Sequence, residues 1–400
     1  MAMSMRIVVS RTATIPDPIK LARFLRAPEL GPKVLFFTGG TALKALSRRV
    51  IDYTHNSIHL ITPFDSGGSS AKLRAAFDMP AVGDLRNRLM ALADRTVKGA
   101  PETYALFACR LPHDAAPQEL RERLQAMLCG DDELVARVPD PMRKIIRTHL
   151  RFFVERMPED FDLRGASIGN LILTGGYFNH DRHIDPVIYL FSKLVEARGL
   201  VRPVVNQPLH LVAELADGSV LVGQHLLTGK EASPISSPVR RVYLSDRADA
   251  PRPTEVDIRE QTASLIAEAD LICYPMGSFY TSLIANLLPR GVGDSVAANR
   301  CPKVYIPNLG ADPEQRGMTL LDQVRALFAY LEQGCSTTPA RASLLDFLLL
   351  DLKHGNYGPA SDLEELRRYG LTIIDAPLVT ERSAPYLDEE RVLEYLLSLI

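Results

Sequence analysis

The sequence predicts an α/β fold of the doubly wound kind, with a mostly parallel sheet and glycine-rich turns at its strand ends. Three stretches support this. Residues 34–37 (V-L-F-F) are wholly apolar, and T-G-G-T follows at once, ahead of Leu43 and Leu46 at helical spacing. Residues 57–61 (S-I-H-L-I) form a second such run, and D-S-G-G-S-S follows it at 65–70. Residues 271–274 (L-I-C-Y) form a third, followed by Gly277, Ser278 and a hydroxyl-rich helical segment. A short apolar run bounded by turn residues is the pattern of a strand buried on both faces. A glycine turn from such a strand into a helix lets backbone N–H groups approach an anion, because no Cβ blocks the way.

Composition narrows the class. The 400 residues are 46% hydrophobic and 24% charged, an ordinary globular balance with ample material for a core. The economical division is one α/β domain over 1–400 with a helical insertion at 96–160. A net charge of −2 argues against general binding to nucleic acid or an anionic membrane. Cys109, Cys129, Cys273, Cys301 and Cys335 are widely spaced and include no C-x-x-C pair, so they read as reduced thiols of a cytoplasmic protein. The chain turns polar at Ser10 and Arg11, too early for a secretory apolar region, and no apolar run reaches the roughly 18 residues of a spanning helix.

Taken in order, residues 7–9 suggest an extra edge strand and 19–24 an amphipathic helix. Gly39, Gly40 and Thr41 form the first βα turn; neither a G-x-G-x-x-G nor a G-x-x-x-x-G-K-[ST] pattern is present. The second loop holds Asp65, Gly67, Gly68, Ser69 and Ser70. A polar cluster of Gly83, Asp84, Arg86 and Asn87 then opens a helix carrying Leu85, Leu89 and Leu92. Ordinary capped surface turns would give the same composition. Within 96–160, Leu120, Leu124, Met127 and Leu128 share one helical face, and Ile145, Ile146, Leu150 and Phe153 another. Asn170 sits in an apolar run, where a buried amide needs partners from a ligand or from the backbone. His180, His183 and Asp185 read either as a metal site or as a solvated loop or cap. Residues 201–205 are expected as a strand, and 210–227 as a hairpin about Asp217-Gly218, with another strand at 239–244. A helix follows at 256–268. Gly277, Ser278, Tyr280, Thr281 and Ser282 form the third turn, as an anion site or as a simple N-cap, and 303–306 is a strand ending beside Asn308. Helices are expected at 318–333, 343–350 and 362–369, a strand at 371–374 and a last helix at 388–400. Tyr357 is a candidate to face the same cleft.

Four separated motifs, G-G-T-A-L, D-S-G-G-S-S with V-G-D-L-R-N, G-S-F-Y-T-S-L-I-A-N-L-L and V-Y-I-P-N-L, resemble the CofD-like superfamily in their order. That group contains 2-phospho-L-lactate transferases and gluconeogenesis-factor (YvcK-like) proteins that bind nucleotide sugars. The resemblance spans about 33–375 and lies closer to the gluconeogenesis-factor branch, most of all to a divergent subfamily from a gene cluster with an ATP-grasp protein. It implies a Rossmann-like three-layer fold, with a nucleotide diphosphate on Gly39, Gly40, Thr41, Gly67, Gly68, Ser69, Ser70, Asn87, Asn170, Gly277, Ser278, Tyr280, Thr281, Ser282 and Asn308. It gives Asp65, Asp84 and Arg86 catalytic roles and makes Asp65 a ligand of Mg²⁺. Ala42, Ser66, Ala71 and Met276 depart from the family pattern, and Ser66 removes one carboxylate of an Asp-Asp pair.

Two functions follow. One is Mg²⁺-dependent transfer of a phosphate-linked group from a nucleotide diphosphate to the hydroxyl of a small-molecule acceptor. The other is a non-catalytic metabolic regulator that binds a nucleotide sugar. Neither nucleic acid nor membrane is an expected partner, and a homo-oligomer is expected.

Overall fold

In the computed structural model the described residues are 12–96, 99–229 and 233–400; the run at 7–9 lies outside them. They contain strands β1 (Val34–Thr38), β2 (Ile58–Ile61), β3 (Leu200–Pro203), β4 (His210–Leu215), β5 (Val220–Val222), β6 (Val239–Ser245), β7 (Leu271–Tyr274), β8 (Lys303–Tyr305), β9 (Phe347–Leu350) and β10 (Thr372–Asp375). Seven of these form one sheet in the order β10-β9-β8-β7-β1-β2-β3, and every pairing in it is parallel. The chain enters at β1, steps outward to β3, then returns to lay β7 on the other side of β1. That reversal opens a crevice at the carboxyl ends of β1 and β7, where doubly wound proteins bind ligands.

Why these runs are strands is visible in their burial. β1, β2 and β7 are buried at every position, and successive residues alternate between two cores. Val34, Phe36, Ile61 and Cys273 pack on one face of the sheet. Leu35, Phe37, Leu60 and Tyr274 pack on the other. Helices α1 (Pro18–Arg26), α2 (Lys44–Val50), α3 (Gly68–Phe77) and α4 (Gly83–Ala91) cover the first face. The second is covered by the helices Glu260–Ala267, Val292–Ala298 and Leu320–Gln333, together with the antiparallel sheet β5-β4-β6. The β4–β5 hairpin turns at Gly218, whose φ of 87° is the left-handed conformation glycine favours.

Two expectations change. Residues 343–350 are not a helix: a short 3₁₀ turn ends at Ser343, and F-L-L-L forms β9 between β8 and β10. A four-residue apolar run has no periodicity to separate helix from strand, and the parallel neighbours decide it. The helix expected from 256 begins at Glu260.

Between 96 and 160 the described chain forms α5 (Pro101–Ala108), α6 (Pro117–Cys129), α7 (Glu133–Arg137) and α8 (Met142–Arg156), followed by α9 (Ile168–Asn179) and α10 (Ile184–Leu194). Leu120, Leu124, Met127, Ile146, Leu150 and Phe153 join the core beneath α4 and α9. α8 crosses α9 at two glycines. A Cβ on Gly175 would collide with the His149 carbonyl, and one on Gly176 would stand 2.7 Å from Val187 Cγ1 and 2.9 Å from His149 Nδ1.

His149 is buried at this crossing. Burial, helped by the nearby His180, pushes its imidazole down to about 4. The native state thus refuses a proton that the unfolded chain accepts, so this contribution to stability is intact above about pH 6.5 and is lost as pH falls toward 4. His149→Gln should shrink the stability difference between pH 7 and pH 5 by on the order of 2 kcal/mol, read from urea unfolding at both values. Unchanged pH dependence in the variant would contradict this assignment.

Candidate functional site

The loops after β7, β1 and β2, three neighbours in the sheet, border one cleft. Gly39, Gly40, Thr41 and Ala42 form its floor. Asp65, Gly67 and Asp84 lie on the β2 side, and Met276, Gly277, Ser278 and Ser282 on the β7 side. Gln224, His225 and Thr228, from the turn after β5, close it above.

The floor is shaped by a residue the sequence reading passed over. Arg88, four positions after Asp84 and on the same face of α4, is fully buried. Its guanidinium donates to the carbonyls of Gly39 (2.9 Å), Gly40 (3.3 Å) and Leu43 (3.0 Å), and to the hydroxyls of Thr38 (2.9 Å) and Ser47. In a trans peptide the C=O and the next N–H point oppositely. With the Gly39 and Gly40 carbonyls held on Arg88, the N–H groups of Gly40 and Thr41 point away from it. Burial lowers the Arg88 pKa to about 10 while the Asp84 carboxylate opposes the shift, so the group stays cationic at neutral pH. The available signal was a charged i, i+4 pair in a helix whose neighbours are core leucines.

Arg74 treats the second loop similarly, donating to the carbonyls of Phe64 (3.1 Å), Asp65 (3.3 Å) and Leu209 (2.6 Å). The Asp65 carboxylate accepts the Gly67 N–H at 3.1 Å. Close approach explains the glycines here. A Cβ on Gly40 would strike Asp84 Oδ1, and one on Gly39 would strike the Ser282 side chain. On Gly83 it would strike Ser70 Oγ and stand 3.1 Å from Asp65 Oδ2. Asp65 and Asp84 thus flank Gly83, while among the described residues no lysine or arginine lines the cleft. That donor set fits Mg²⁺, which uses one or two carboxylates and fills its remaining positions with water and phosphate oxygen.

Other candidates lie elsewhere. Arg86 is buried against α9, donating to Ser167 Oγ and to Asn87 Oδ1 (2.6 Å), and does not reach the cleft. Burial and the Arg110 charge push it down to about 10. Asn170 is a helical residue whose amide donates to Ser69 Oγ at 3.4 Å, and Ser70 is buried behind Gly83. Arg86, Asn87, Ser69, Ser70 and Asn170 therefore form a polar layer behind the floor.

Tyr280 and Thr281 turn away altogether. The one-turn π-helix Phe279–Ile284 begins beside the cleft, but its N–H groups are already taken. Asp312 accepts from Phe279 (2.8 Å); Glu314 accepts from Tyr280 (2.7 Å) and Thr281 (2.9 Å) and from the Thr281 hydroxyl (2.6 Å). Burial, with the Asp312 charge, pushes the Glu314 carboxyl up to about 7. The chain's own carboxylates occupy the place a phosphate would take there. Asn308 braces the loop, accepting the Gly277 N–H (2.8 Å) and donating to its carbonyl (2.6 Å), at a glycine with φ of 144°. Tyr357 does not line the cleft; its hydroxyl accepts the Asp351 N–H.

The His180–Asp185 tract is not gathered around one point. His183 caps α10, with Nδ1 3.2 Å from the His180 carbonyl, and Asp185 pairs with Arg202 and Arg259. Among the described residues no group of three or more His, Cys, Asp or Glu is arranged for a metal ion, and no helix is long and apolar enough to cross a membrane. The sequence reading also missed a pair 159 residues apart: Ser66 Oγ lies 2.8 Å from His225 Nδ1, at the cleft roof.

Parallel order, switch point and glycine floor define a doubly wound α/β protein with its ligand cleft at the carboxyl ends of β1, β2 and β7. Residues 34–379 match the family model described as 2-phospho-L-lactate transferase CofD, and the chain belongs to the CofD family. It is similar to the gluconeogenesis factor of Bacillus subtilis, at 29% identity over 362 residues, which cover 88% of this chain and 92% of that protein. The gluconeogenesis factor of Listeria monocytogenes is 31% identical over 283 residues, covering 70% of this chain and 68% of that one. A crystal structure of a UPF0052-family protein from Bacillus halodurans shares the fold, with a TM-score of 0.65 at 24% identity over 92% of this chain and 99% of its own.

Arg88→Leu would remove the guanidinium donor from three carbonyls and two hydroxyls. Urea unfolding should show a loss of about 3 kcal/mol or more, the cost of breaking a buried charged network. A loss below about 1 kcal/mol would mean the floor does not depend on this cation.

Proposed function

We propose that this chain is a non-catalytic metabolic regulator that binds a nucleotide diphosphate, as a nucleotide sugar, across the floor of the cleft. The observation that carries the reading is the Arg88-held turn, whose Gly40 and Thr41 N–H groups are preset for phosphate oxygens without cost at the moment of binding. The names of the relatives support it, since the similar proteins of Bacillus subtilis and Listeria monocytogenes are gluconeogenesis factors. The diphosphate would rest on Gly39, Gly40, Thr41 and Gly67, with Gly277, Ser278 and Ser282 at one end.

One observation favours a second reading, Mg²⁺-dependent transfer of the 2-phospho-L-lactate transferase kind. Among the described residues two carboxylates and no lysine or arginine line the cleft, an arrangement in which a dianionic diphosphate gains from a divalent cation. Asp65 and Asp84 would hold Mg²⁺, which when bound supplies charge neutralisation at the phosphates. The floor would then position the donor for an acceptor hydroxyl.

Isothermal titration with GDP, GTP, UDP-sugars and nicotinamide dinucleotides, each with and without Mg²⁺, separates the two. Metal-independent binding of a nucleotide sugar, with no turnover, is the expected result. Tight binding that requires Mg²⁺ and is lost in Asp65→Asn would favour transfer. Ser278→Trp fills the β7 end and should weaken nucleotide binding by at least about tenfold; undiminished affinity would remove that loop from the ligand.

A further inference from the structure

The roof is built from a part of the chain far from the glycine loops, and it docks on them through one hydrogen-bonded pair. Gly223 enters the roof turn at φ of 106°, where a Cβ would stand 2.9 Å from Ser66 Oγ and 3.0 Å from His225 Nδ1. Only glycine lets the turn come this close. Ser66 Oγ then accepts the His225 backbone N–H at 3.2 Å and lies 2.8 Å from His225 Nδ1. In the tautomer in which Ser66 Oγ gives its hydrogen to Nδ1, the ring hydrogen is on Nε2, which is then the donor. Beside it, among the described residues, Gln224 Oε1 is buried and accepts no hydrogen bond. A buried acceptor of this kind costs free energy until something donates to it.

At this end of the cleft Asp65 and Asp84 supply carboxylate acceptors, and Gln224, His225 and Thr228 line the roof. The donors are His225 Nε2 and the Thr228 hydroxyl. Among the described residues lining this end, an anionic group would meet two carboxylates and no lysine or arginine. A neutral group bearing several hydroxyls, each both donor and acceptor, matches the set.

We propose that the roof turn 223–228 is a specificity element, in which His225, oriented by Ser66, and Gln224 read the hydroxyls of the sugar carried on the distal phosphate. This rests on the nucleotide-sugar reading of the cleft and adds which end of it takes the sugar and which side chains select it. Ser66 is a positioning residue: it acts through His225.

The test compares each nucleotide with its sugar conjugate, UDP against UDP-glucose and GDP against GDP-mannose, by isothermal titration. Wild type is set beside His225→Ala, His225→Gln and Ser66→Ala, with folding checked by thermal melting. His225→Ala should weaken the conjugate about tenfold and the bare diphosphate less than about twofold, as for loss of one well-formed hydrogen bond. His225→Gln keeps a donor and should recover most of that loss; Ser66→Ala should cost about threefold on the conjugate alone. Equal losses on both members of a pair, or no loss on either, would overturn the proposal while leaving nucleotide binding intact. No binding of any nucleotide to the wild type would overturn both this inference and the function it rests on.

Discussion

A buried guanidinium holds the carbonyls of the first glycine turn, and the ligand-facing geometry of the cleft depends on it. Arg88 comes from α4, the turn follows β1, and the two touch only because the parallel sheet sets β1 and β2 side by side. An unpaired buried cation would cost several kcal/mol. Here five oxygens and the Asp84 charge offset that cost, and the same contacts orient the main chain. Stability and readiness to bind an anion thus come from one set of hydrogen bonds.

The three loops around the cleft have different fates. The β1 and β2 loops have arginines drawing on their carbonyls from behind, so their N–H groups are turned outward. The turn after β7 runs into a helix whose leading N–H groups are consumed by Asp312 and Glu314. Composition is similar in all three, glycine followed by hydroxyl residues, yet one of them has been capped by the chain itself. The cleft therefore has the Arg88-held turn at its centre, the Asp65 and Asp84 carboxylates on the β2 side, and shape and hydroxyls on the β7 side.

Much of this fold was legible because parallel strands buried on both faces leave unbroken apolar runs, and 34–37, 57–61 and 271–274 are such runs. The converging glycine turns were legible for the same reason: each sits one residue or a few beyond a strand. F-L-L-L at 347–350 was not, since four apolar residues carry no period and only the neighbouring strands settle their state. Which polar residues face the cleft was harder still. Arg86 and Arg88 are two positions apart on one helix, and the 200° between them sends one beneath the floor and the other toward α9. Tyr280 and Thr281 were misplaced because their partner, Glu314, lies more than thirty residues downstream. Ser66 and His225 could be joined only by the fold.

A floor made of main-chain amides has an evolutionary corollary. Substitution changes side chains, and peptide N–H groups survive almost any replacement that preserves the turn. The arginine, the glycines it grips and the strand order form a small frame that selection must keep, while the walls and roof are free to diverge. A change in the roof would then alter the cleft without rebuilding its floor.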